Sequence, residues 1–271
     1  MRGIYLGSEQ RKSAFELLQD QDNQELIVFI HGFMGFMDWG AWYMVAHYFQ
    51  EAGYDFCRFN LSHNGGTAEQ VIDFPDPESF GNNTYSKELF DVKAMINHLE
   101  KENRTYSKIH LIGHSRGGGM AILAADQWQH RSPLGKVISW AGICDIGRRF
   151  PQGAELEAWK KSGQRTIKNS RTKQDLPQSF QLYEDYIIHE TTLDILNAAK
   201  HLGDKLCIFH GDQDESVAIT EAYELAEAAK QELQVLRGAD HVFGAVHPWT
   251  ATSWPPLLKE LAEKTRQALD Q

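Results

Sequence analysis

Residues 108–119 read KIHLIGHSRGGG, an apolar run followed by a serine between glycines. The run Lys108–Ile112 predicts a buried strand, and Met120–Trp128 predicts the helix that follows it. On a sharp turn between strand and helix, a serine hydroxyl is pushed into the cleft above the sheet, and flanking glycines avoid a clash of Cβ atoms. The pattern G-x-S-x-G at 113–117 therefore indicates Ser115 as a nucleophile, with a plain turn as the alternative for so short a motif.

A second apolar strand, Leu26–Ile30, ends directly at His31-Gly32-Phe33. A loop in this place supplies one backbone donor to the hole that binds the oxyanion of acyl transfer, and the residue after the nucleophile supplies the other. We expect these donors to be the N–H groups of Phe33 and Arg116. His31 itself is expected to hold the loop by a hydrogen bond rather than to act as a base.

Two more units of strand and loop follow near the C-terminal end of the chain. The strand Lys205–Phe209 leads into HGDQD at 210–214, and the strand Leu233–Leu236 leads into GADH at 238–241. The chain order serine, aspartate, histidine is that of one class of serine hydrolases and differs from the orders in chymotrypsin and subtilisin. The first loop is therefore expected to hold the acid and the second to hold the base, His241.

Short apolar runs alternate with helix-period segments along the chain, which is typical of a largely parallel α/β sheet. A clear amphipathic helix is predicted over Lys87–Glu102. The loop 62–84 is expected to be irregular, and the polar stretch 147–202, whose best pattern is helical, is expected to be a cap inserted into a single domain of residues 1–271. The predicted strands lie near 3–6, 13–18, 26–30, 55–59, 108–112, 137–141, 205–209 and 233–236.

The composition excludes several classes of partner. The formal net charge is −10, and an acidic surface repels phosphate groups, so we expect neither nucleic acid nor an anionic membrane as a partner. Residues 1–6 lack the charged-then-apolar pattern of a signal peptide, and the three cysteines match no zinc motif, so a cytoplasmic protein with reduced thiols is predicted. The histidines show no ligand spacing, and no metal or cofactor site is predicted.

Taken together, these segments resemble the α/β-hydrolase superfamily, and most closely its small esterase and acylaminoacyl-peptidase-like branch. The resemblance implies an α/β-hydrolase fold with a mostly parallel eight-stranded sheet, helices on both faces and a small helical cap. In similar proteins the acid is the second aspartate of H-G-x-x-D, which corresponds to Asp214, with Asp212 as the alternative. The catalytic triad is then Ser115, Asp214 and His241, and the resemblance implies no cofactor.

The leading prediction is a serine hydrolase that cleaves a carboxylic ester of a small or medium acyl substrate through an acyl-enzyme. A peptidase or amidase acting on short peptides or acylated amino acids uses the same triad, and the sequence does not separate the two. A third hypothesis is a non-catalytic member that keeps the fold for binding. Met34 and the cap residue Trp159 are predicted to line the substrate pocket. The oligomeric state is open, with a homodimer among the alternatives.

Overall fold

Ten strands lie in the part of the chain that the computed structural model describes, residues 1–101, 104–128 and 133–270. Eight of them form one sheet in the order β1-β2-β4-β3-β5-β6-β9-β10, while β7 pairs with β8 alone. Strand β2 runs antiparallel to both of its neighbours, and the other pairs of the large sheet are parallel. The prediction of eight mostly parallel strands is therefore confirmed. The strands are β1 (Arg2–Leu6), β2 (Lys12–Leu18), β3 (Glu25–Ile30), β4 (Tyr54–Phe59), β5 (Lys108–His114), β6 (Leu134–Trp140), β7 (Gln164–Lys168), β8 (Asp175–Ser179), β9 (Leu206–Gly211) and β10 (Leu233–Leu236).

The helices within the same ranges are α1 (Trp42–Glu51), α2 (Pro77–Gly81), α3 (Tyr85–Lys101), α4 (Arg116–Trp128), α5 (Ala154–Ser162), α6 (Gln181–His189), α7 (Ile195–Leu202), α8 (Ile219–Ala229) and α9 (Pro256–Leu269). The predicted end of α3, Glu102, lies outside the described residues. Helix α2 corrects the expectation of an irregular loop, because the Asp76 carboxylate caps its first turn by accepting from the Ser79 N–H. No helix of these ranges is both long and apolar enough to cross a bilayer.

Both faces of the sheet are buried, and β3 shows how. Its side chains alternate, so that Val28 and Ile30 enter one hydrophobic core while Ile27 and Phe29 enter the other. Helices α3, α4, α7 and α8 cover the first core, and α1 and α9 cover the second. A strand that is buried on both faces is apolar throughout its length. This burial explains why the short continuous runs of the sequence located the central strands.

The carboxyl ends of the parallel strands meet at one edge of the sheet. In the β3–β5 pair, Ile30 lies beside Gly113, and β9 and β10 end together at Gly211 and Leu236. The loops that follow β3, β5, β9 and β10 therefore emerge at the same edge. This is the place where ligands bind in open parallel sheets, and it brings together four segments that are far apart in the sequence.

The stretch 147–202, predicted as a helical cap, contains α5, α6 and α7 but also the antiparallel hairpin of β7 and β8. The hairpin corrects the helical prediction. Strand β7 is a short edge of a two-stranded sheet in which alternate residues are exposed, so it carries no apolar run that would mark it as a strand. Helix α7 packs against α4 and α8 and thus belongs to the helical layer of the main body. We name residues 147–194, which precede α7, the cap; the bounds 147–202 of the inserted segment stay a prediction.

Candidate active site

Ser115 lies on the turn between β5 and α4 with a backbone φ of 58°. Strain of this kind in a residue other than glycine is typical of functional turns. The turn is tight, since a Cβ on Gly113 would lie 2.1 Å from the carbonyl oxygen of Gly117, and a Cβ on Gly117 would lie 2.2 Å from that of Ile30. Backbone packing therefore requires both glycines of the G-x-S-x-G motif.

The two predicted oxyanion donors are unpaired. The backbone N–H groups of Phe33 and Arg116 have no acceptor among the residues described. Arg116 is the first residue of α4, where N–H groups have no partner within the helix. The loop that carries Phe33 lies directly against the nucleophile, because a Cβ on Gly32 would come within 2.9 Å of the Ser115 Cβ. An oxyanion formed at Ser115 would thus find two free donors beside it.

His31 fixes the loop that carries Phe33. Its Nε2 accepts a hydrogen bond from the Leu61 N–H at 3.1 Å, so Nδ1 carries the proton and donates to the Gly32 carbonyl oxygen at 2.9 Å. Burial lowers the pKa of His31 to about 4, which keeps the ring neutral and preserves both hydrogen bonds at neutral pH. These contacts agree with the structural role predicted for His31.

The loops after β9 and β10 bring Asp214 and His241 together. The distance from His241 Nδ1 to Asp214 Oδ2 is 2.7 Å, so in the neutral ring Nδ1 carries the hydrogen and Nε2 keeps its lone pair. The second oxygen of Asp214 accepts from two backbone N–H groups of its own loop at 2.8 and 2.9 Å. Asp212, the alternative acid, is exposed and instead accepts from the Gly238 N–H at 2.6 Å.

The surroundings keep Asp214 ionised. Burial of its side chain, which has no exposed surface, would raise the pKa of Asp214. Hydrogen bonds from His210, His241 and the Val217 N–H outweigh this effect and hold the pKa well below its usual range. His210 Nε2 lies 3.3 Å from Asp214 Oδ2 and 2.9 Å from the Val217 carbonyl oxygen. No role was predicted for His210 from the sequence. Its position at the end of β9, close to the predicted acid, could have indicated that it contacts Asp214.

His114, the residue before the nucleophile, holds the backbone of His241. Its Nε2 lies 2.8 Å from the His241 carbonyl oxygen, and the two ring centroids are 4.8 Å apart. Burial lowers the pKa of His114 to about 3, so the ring is neutral and donates from Nε2. The sequence contained His114 within the serine motif, but the contact with residue 241 depends on the fold and was not predicted.

Two cavities meet at the nucleophile, with volumes of about 390 and about 400 Å³. Ser115 Oγ makes no hydrogen bond to any described residue, so the hydroxyl is available to both cavities. The residues that line both are Phe33, Met34, Ser115, Ser216 and His241. The nucleophile and the imidazole thus border one space, and a substrate that spans both cavities would present its scissile bond to Ser115.

The walls of the two cavities differ in chemistry. The first cavity is bordered further by His31, Gly32, Gly35, Trp39, Trp42, His114, Lys168, Asn169, Ser170, Arg171 and Val242. The second, which we name the arginine cavity, is bordered further by Tyr85, Arg116, Ile143, Arg149, Arg165, Ile167, Gln178, Leu182 and Val217. Residues of the cap therefore line both cavities, which agrees with a cap that lies above the sheet edge.

The two residues predicted to line the pocket differ in their placement. Met34 borders both cavities. Trp159 borders neither, because its ring is only 2% exposed and packs inside the cap. Its Nε1 donates to the Gln178 carbonyl oxygen at 3.0 Å, and the guanidinium of Arg165 lies over its ring at 4.1 Å. The prediction that Trp159 lines the substrate pocket is therefore wrong, because Arg165 lies between this ring and the arginine cavity.

Metal-binding side chains do not cluster in the described ranges, where no group of three or more histidine, cysteine, aspartate or glutamate residues is suitably placed. The three cysteines are free thiols, with Cys57 and Cys144 buried. Burial raises the pKa of both buried thiols. Neither is therefore a thiolate at neutral pH, the form in which a cysteine acts as a nucleophile or a metal ligand.

Comparison with known proteins identifies the family. The family described as serine aminopeptidase, S33 (Hydrolase_4), matches residues 21–243. The chain belongs to this family. Among curated proteins, this S33 hydrolase is 27% identical over 124 residues to the "Uncharacterized peptidase YtmA" of Bacillus subtilis (strain 168), which is 46% of this chain and 42% of that protein. The chain thus matches less than half the length of this relative.

Solved structures of other proteins share the fold of this S33 hydrolase over nearly its whole length. Est1E from Butyrivibrio proteoclasticus, solved with bound ferulic acid, has 17% sequence identity and a TM-score of 0.71, with 98% of this chain and 99% of that chain covered. The monoacylglycerol lipase of Paleococcus ferrophilus has 14% identity and a TM-score of 0.64, with coverages of 95% and 98%. These structures confirm the predicted fold, and the family match over residues 21–243 confirms the predicted α/β-hydrolase superfamily.

Proposed function

We propose that this S33 hydrolase cleaves a carboxylic ester of a small or medium acyl substrate, with Ser115 as nucleophile, His241 as general base and Asp214 as its orienting partner. The observation that carries the proposal is the 2.7 Å contact between His241 Nδ1 and the buried Asp214 carboxylate. In the neutral ring, this contact places the proton on Nδ1 and leaves Nε2 as an acceptor on a cavity shared with Ser115. An unprotonated imidazole nitrogen is what a general base requires.

The proposed reaction begins when Ser115 Oγ attacks the acyl carbon and its proton passes to His241 Nε2. The carbonyl oxygen becomes an oxyanion that accepts from the N–H groups of Phe33 and Arg116, each contributing about 3 kcal/mol. His241 then gives the proton to the leaving alkoxide as the C–O bond breaks, and the acyl group stays on Ser115. Water attacks this acyl-enzyme while His241 takes its proton, and His241 then returns that proton to Ser115 Oγ as the bond between the acyl carbon and Oγ breaks and the carboxylic acid is released.

The walls of the cavities favour an ester over a peptide with a free amino terminus. A substrate ammonium group that leaves water needs an acceptor, and a carboxylate is the strongest. No aspartate or glutamate lines either cavity in the described part of the chain, whereas Lys168 and Arg171 line the first and three arginines line the second. An acylated amino acid has no ammonium group and carries a carboxylate, so an amidase acting on such compounds is the second candidate function.

The nucleophile is tested by labelling with a fluorophosphonate probe and by hydrolysis of p-nitrophenyl acyl esters. The wild type is expected to label, whereas Ser115→Ala is expected to lose labelling and at least about 10⁴-fold in kcat/KM. Ser107→Ala is the control, because Ser107 precedes β5, at the end of the strand opposite to Ser115, and its hydroxyl donates to the Gln24 carbonyl oxygen. A wild type that never labels would favour the non-catalytic binding protein, and faster cleavage of an acylated amino acid than of any ester would favour the amidase.

A further inference from the structure

The arginine cavity is unusual for a chain with a net charge of −10. Arg116, Arg149 and Arg165 line it, and none of its described lining residues is acidic. These arginines come from α4, from the start of the cap and from β7, so their meeting is not a local feature of the sequence. Guanidinium groups repel one another at short range, and such a cluster is stabilised by negative charge nearby.

Two of the three arginines already have carboxylate partners behind the cavity wall. Arg116 Nη1 lies 3.0 Å from Glu88 Oε1, and both side chains are buried. Arg149 pairs with the buried Glu221 in the same way, although its Nε is buried without an acceptor among the described residues. These pairs are neutral overall, so they position donors at the wall without adding net charge to the cavity.

Arg165 has no such partner. Its Nε donates to Gln178 Oε1 at 2.8 Å and its guanidinium lies over Trp159, but no carboxylate of the described residues lies within 4.0 Å of it. Burial lowers the pKa of Arg165, and the electrostatic effects of Tyr85 and Glu155 offset this lowering only in part. Neither terminal nitrogen of this guanidinium has a hydrogen-bond acceptor among the described residues, so both are available as donors at the wall of a cavity that Ser115 also lines.

We propose that the arginine cavity binds a carboxylate carried by the substrate, and that Arg165 is the residue that selects for it. The inference rests on the proposed function and adds a substrate class, namely esters or amides with a second, anionic group. One carboxylate balances the single unpaired charge, and a guanidinium presents two parallel N–H donors that fit a carboxylate. Holding Arg165 partly dehydrated costs free energy. An anionic substrate would offset this cost and a neutral substrate would not, so the enzyme would favour the anionic one.

The test compares esters that differ only by a carboxylate in place of a methyl group. Mono-p-nitrophenyl adipate is paired with p-nitrophenyl hexanoate for an anion on the acyl side, and 4-acetoxybenzoate is paired with 4-methylphenyl acetate for an anion on the leaving side. Spontaneous hydrolysis is subtracted with Ser115→Ala. The variants are Arg165→Gln, which removes the charge, and Arg165→Lys, which keeps it. Arg148→Gln is the control, because Arg148 pairs with Glu224 on the surface and lines neither cavity.

The wild type is expected to prefer the anionic ester in at least one pair. Arg165→Gln is expected to lower kcat/KM for that ester about 10- to 100-fold, mainly through KM, because it removes charge-assisted hydrogen bonds. The neutral ester should stay within about twofold, Arg165→Lys should retain part of the preference, and Arg148→Gln should match the wild type. Equal rates on both members of each pair, or an equal loss on both in Arg165→Gln, would overturn the inference and leave the proposed function standing.

The outcome in which no ester is hydrolysed is also informative. It would contradict the proposed function, and the cavity would then be tested by thermal unfolding in the presence of adipate. A rise in the melting temperature of the wild type that is lost in Arg165→Gln would support the carboxylate site. No rise at concentrations up to tens of millimolar would overturn it.

Discussion

The site is enclosed by two regions that are built differently. The main body contributes Ser115, Asp214 and His241 from loops at one sheet edge, and the acid and base are held by several short hydrogen bonds. The cap contributes Arg165, which is half-buried and held by one side-chain hydrogen bond and one ring contact. Under the two proposals above, the body fixes the chemistry and the cap fixes which substrate is accepted, so that mutations should separate the two.

The arginines show the same contrast. Arg116, in the body, is buried between the rings of Phe33 and Tyr85 and is paired with Glu88. Arg165, in the cap, has no carboxylate of the described residues within 4.0 Å. A paired and buried arginine is part of the wall, whereas an unpaired one at a cavity is available to a ligand. Four predictions bear on this contrast, from the largest expected effect to the smallest.

Replacing Asp214 with asparagine should lower kcat about 10⁴-fold on anionic and neutral esters alike. An asparagine NH₂ group can donate to His241 Nδ1, which would move the imidazole proton to Nε2 and remove the base. The measurement is steady-state kinetics on both members of an ester pair. The control is Asp212→Asn, because Asp212 is exposed two residues earlier and bonds to the Gly238 N–H instead. A loss confined to the anionic ester would contradict the assignment of the chemistry to the body.

Replacing Glu88 with alanine should destabilise the fold by about 3 kcal/mol, because the buried Arg116 charge would lose its partner. The free energy of unfolding is measured by urea denaturation. Glu263→Ala is the control, since its pair with Lys259 is exposed at 3.8 Å, and such pairs contribute less than about 1 kcal/mol. If the two variants were equally stable, Arg116 would have to be regarded as solvated rather than as part of the cavity wall.

Asp214 should also make the free energy of unfolding depend on pH. The pKa of Asp214 lies well below its usual range when folded, so its contribution is fully present above the unfolded pKa near 4 and is lost as the pH falls towards the folded value. The wild type should therefore exceed Asp214→Asn in unfolding free energy by about 2 kcal/mol at pH 6, and the gap should narrow below pH 4. Denaturation at several pH values measures this gap, and a gap that widened on acidification would contradict the ionised state assigned to Asp214.

The same contrast explains what could be predicted from the sequence. Strands buried on both faces are apolar runs, and loops at their carboxyl ends meet by topology, so the sheet and the grouping of residues 115, 214 and 241 could be predicted. The catalytic roles of these residues stay predictions. The cap hairpin has no apolar period, and the meeting of residues 116, 149 and 165 depends on how the cap folds over the edge. The sequence therefore indicated the chemistry but not the charge of the second cavity.

The sequence wrongly predicted that Trp159 lines the substrate pocket. Its replacement gives the smallest of the four expected effects. The sequence placed this ring in the pocket, whereas the structure places it behind Arg165 at 4.1 Å. Trp159→Phe keeps an aromatic face but removes the strongest cation–π partner and the bond from Nε1 to the Gln178 carbonyl oxygen. The preference for the anionic ester is expected to fall about two- to threefold through KM, with kcat on the neutral ester unchanged.

The measurement is the ratio of kcat/KM values within each ester pair, for Trp159→Phe and for the control Trp254→Phe. Trp254 contacts Tyr48, is packed against the core between the sheet, α1 and α9, and lines neither cavity. Because a ratio cancels any change in the amount of active enzyme, a shift in Trp159→Phe alone would show that the ring acts by placing Arg165. If both esters slowed equally instead, Trp159 would influence the arrangement of the body, and the separation of chemistry from selection would fail at this residue.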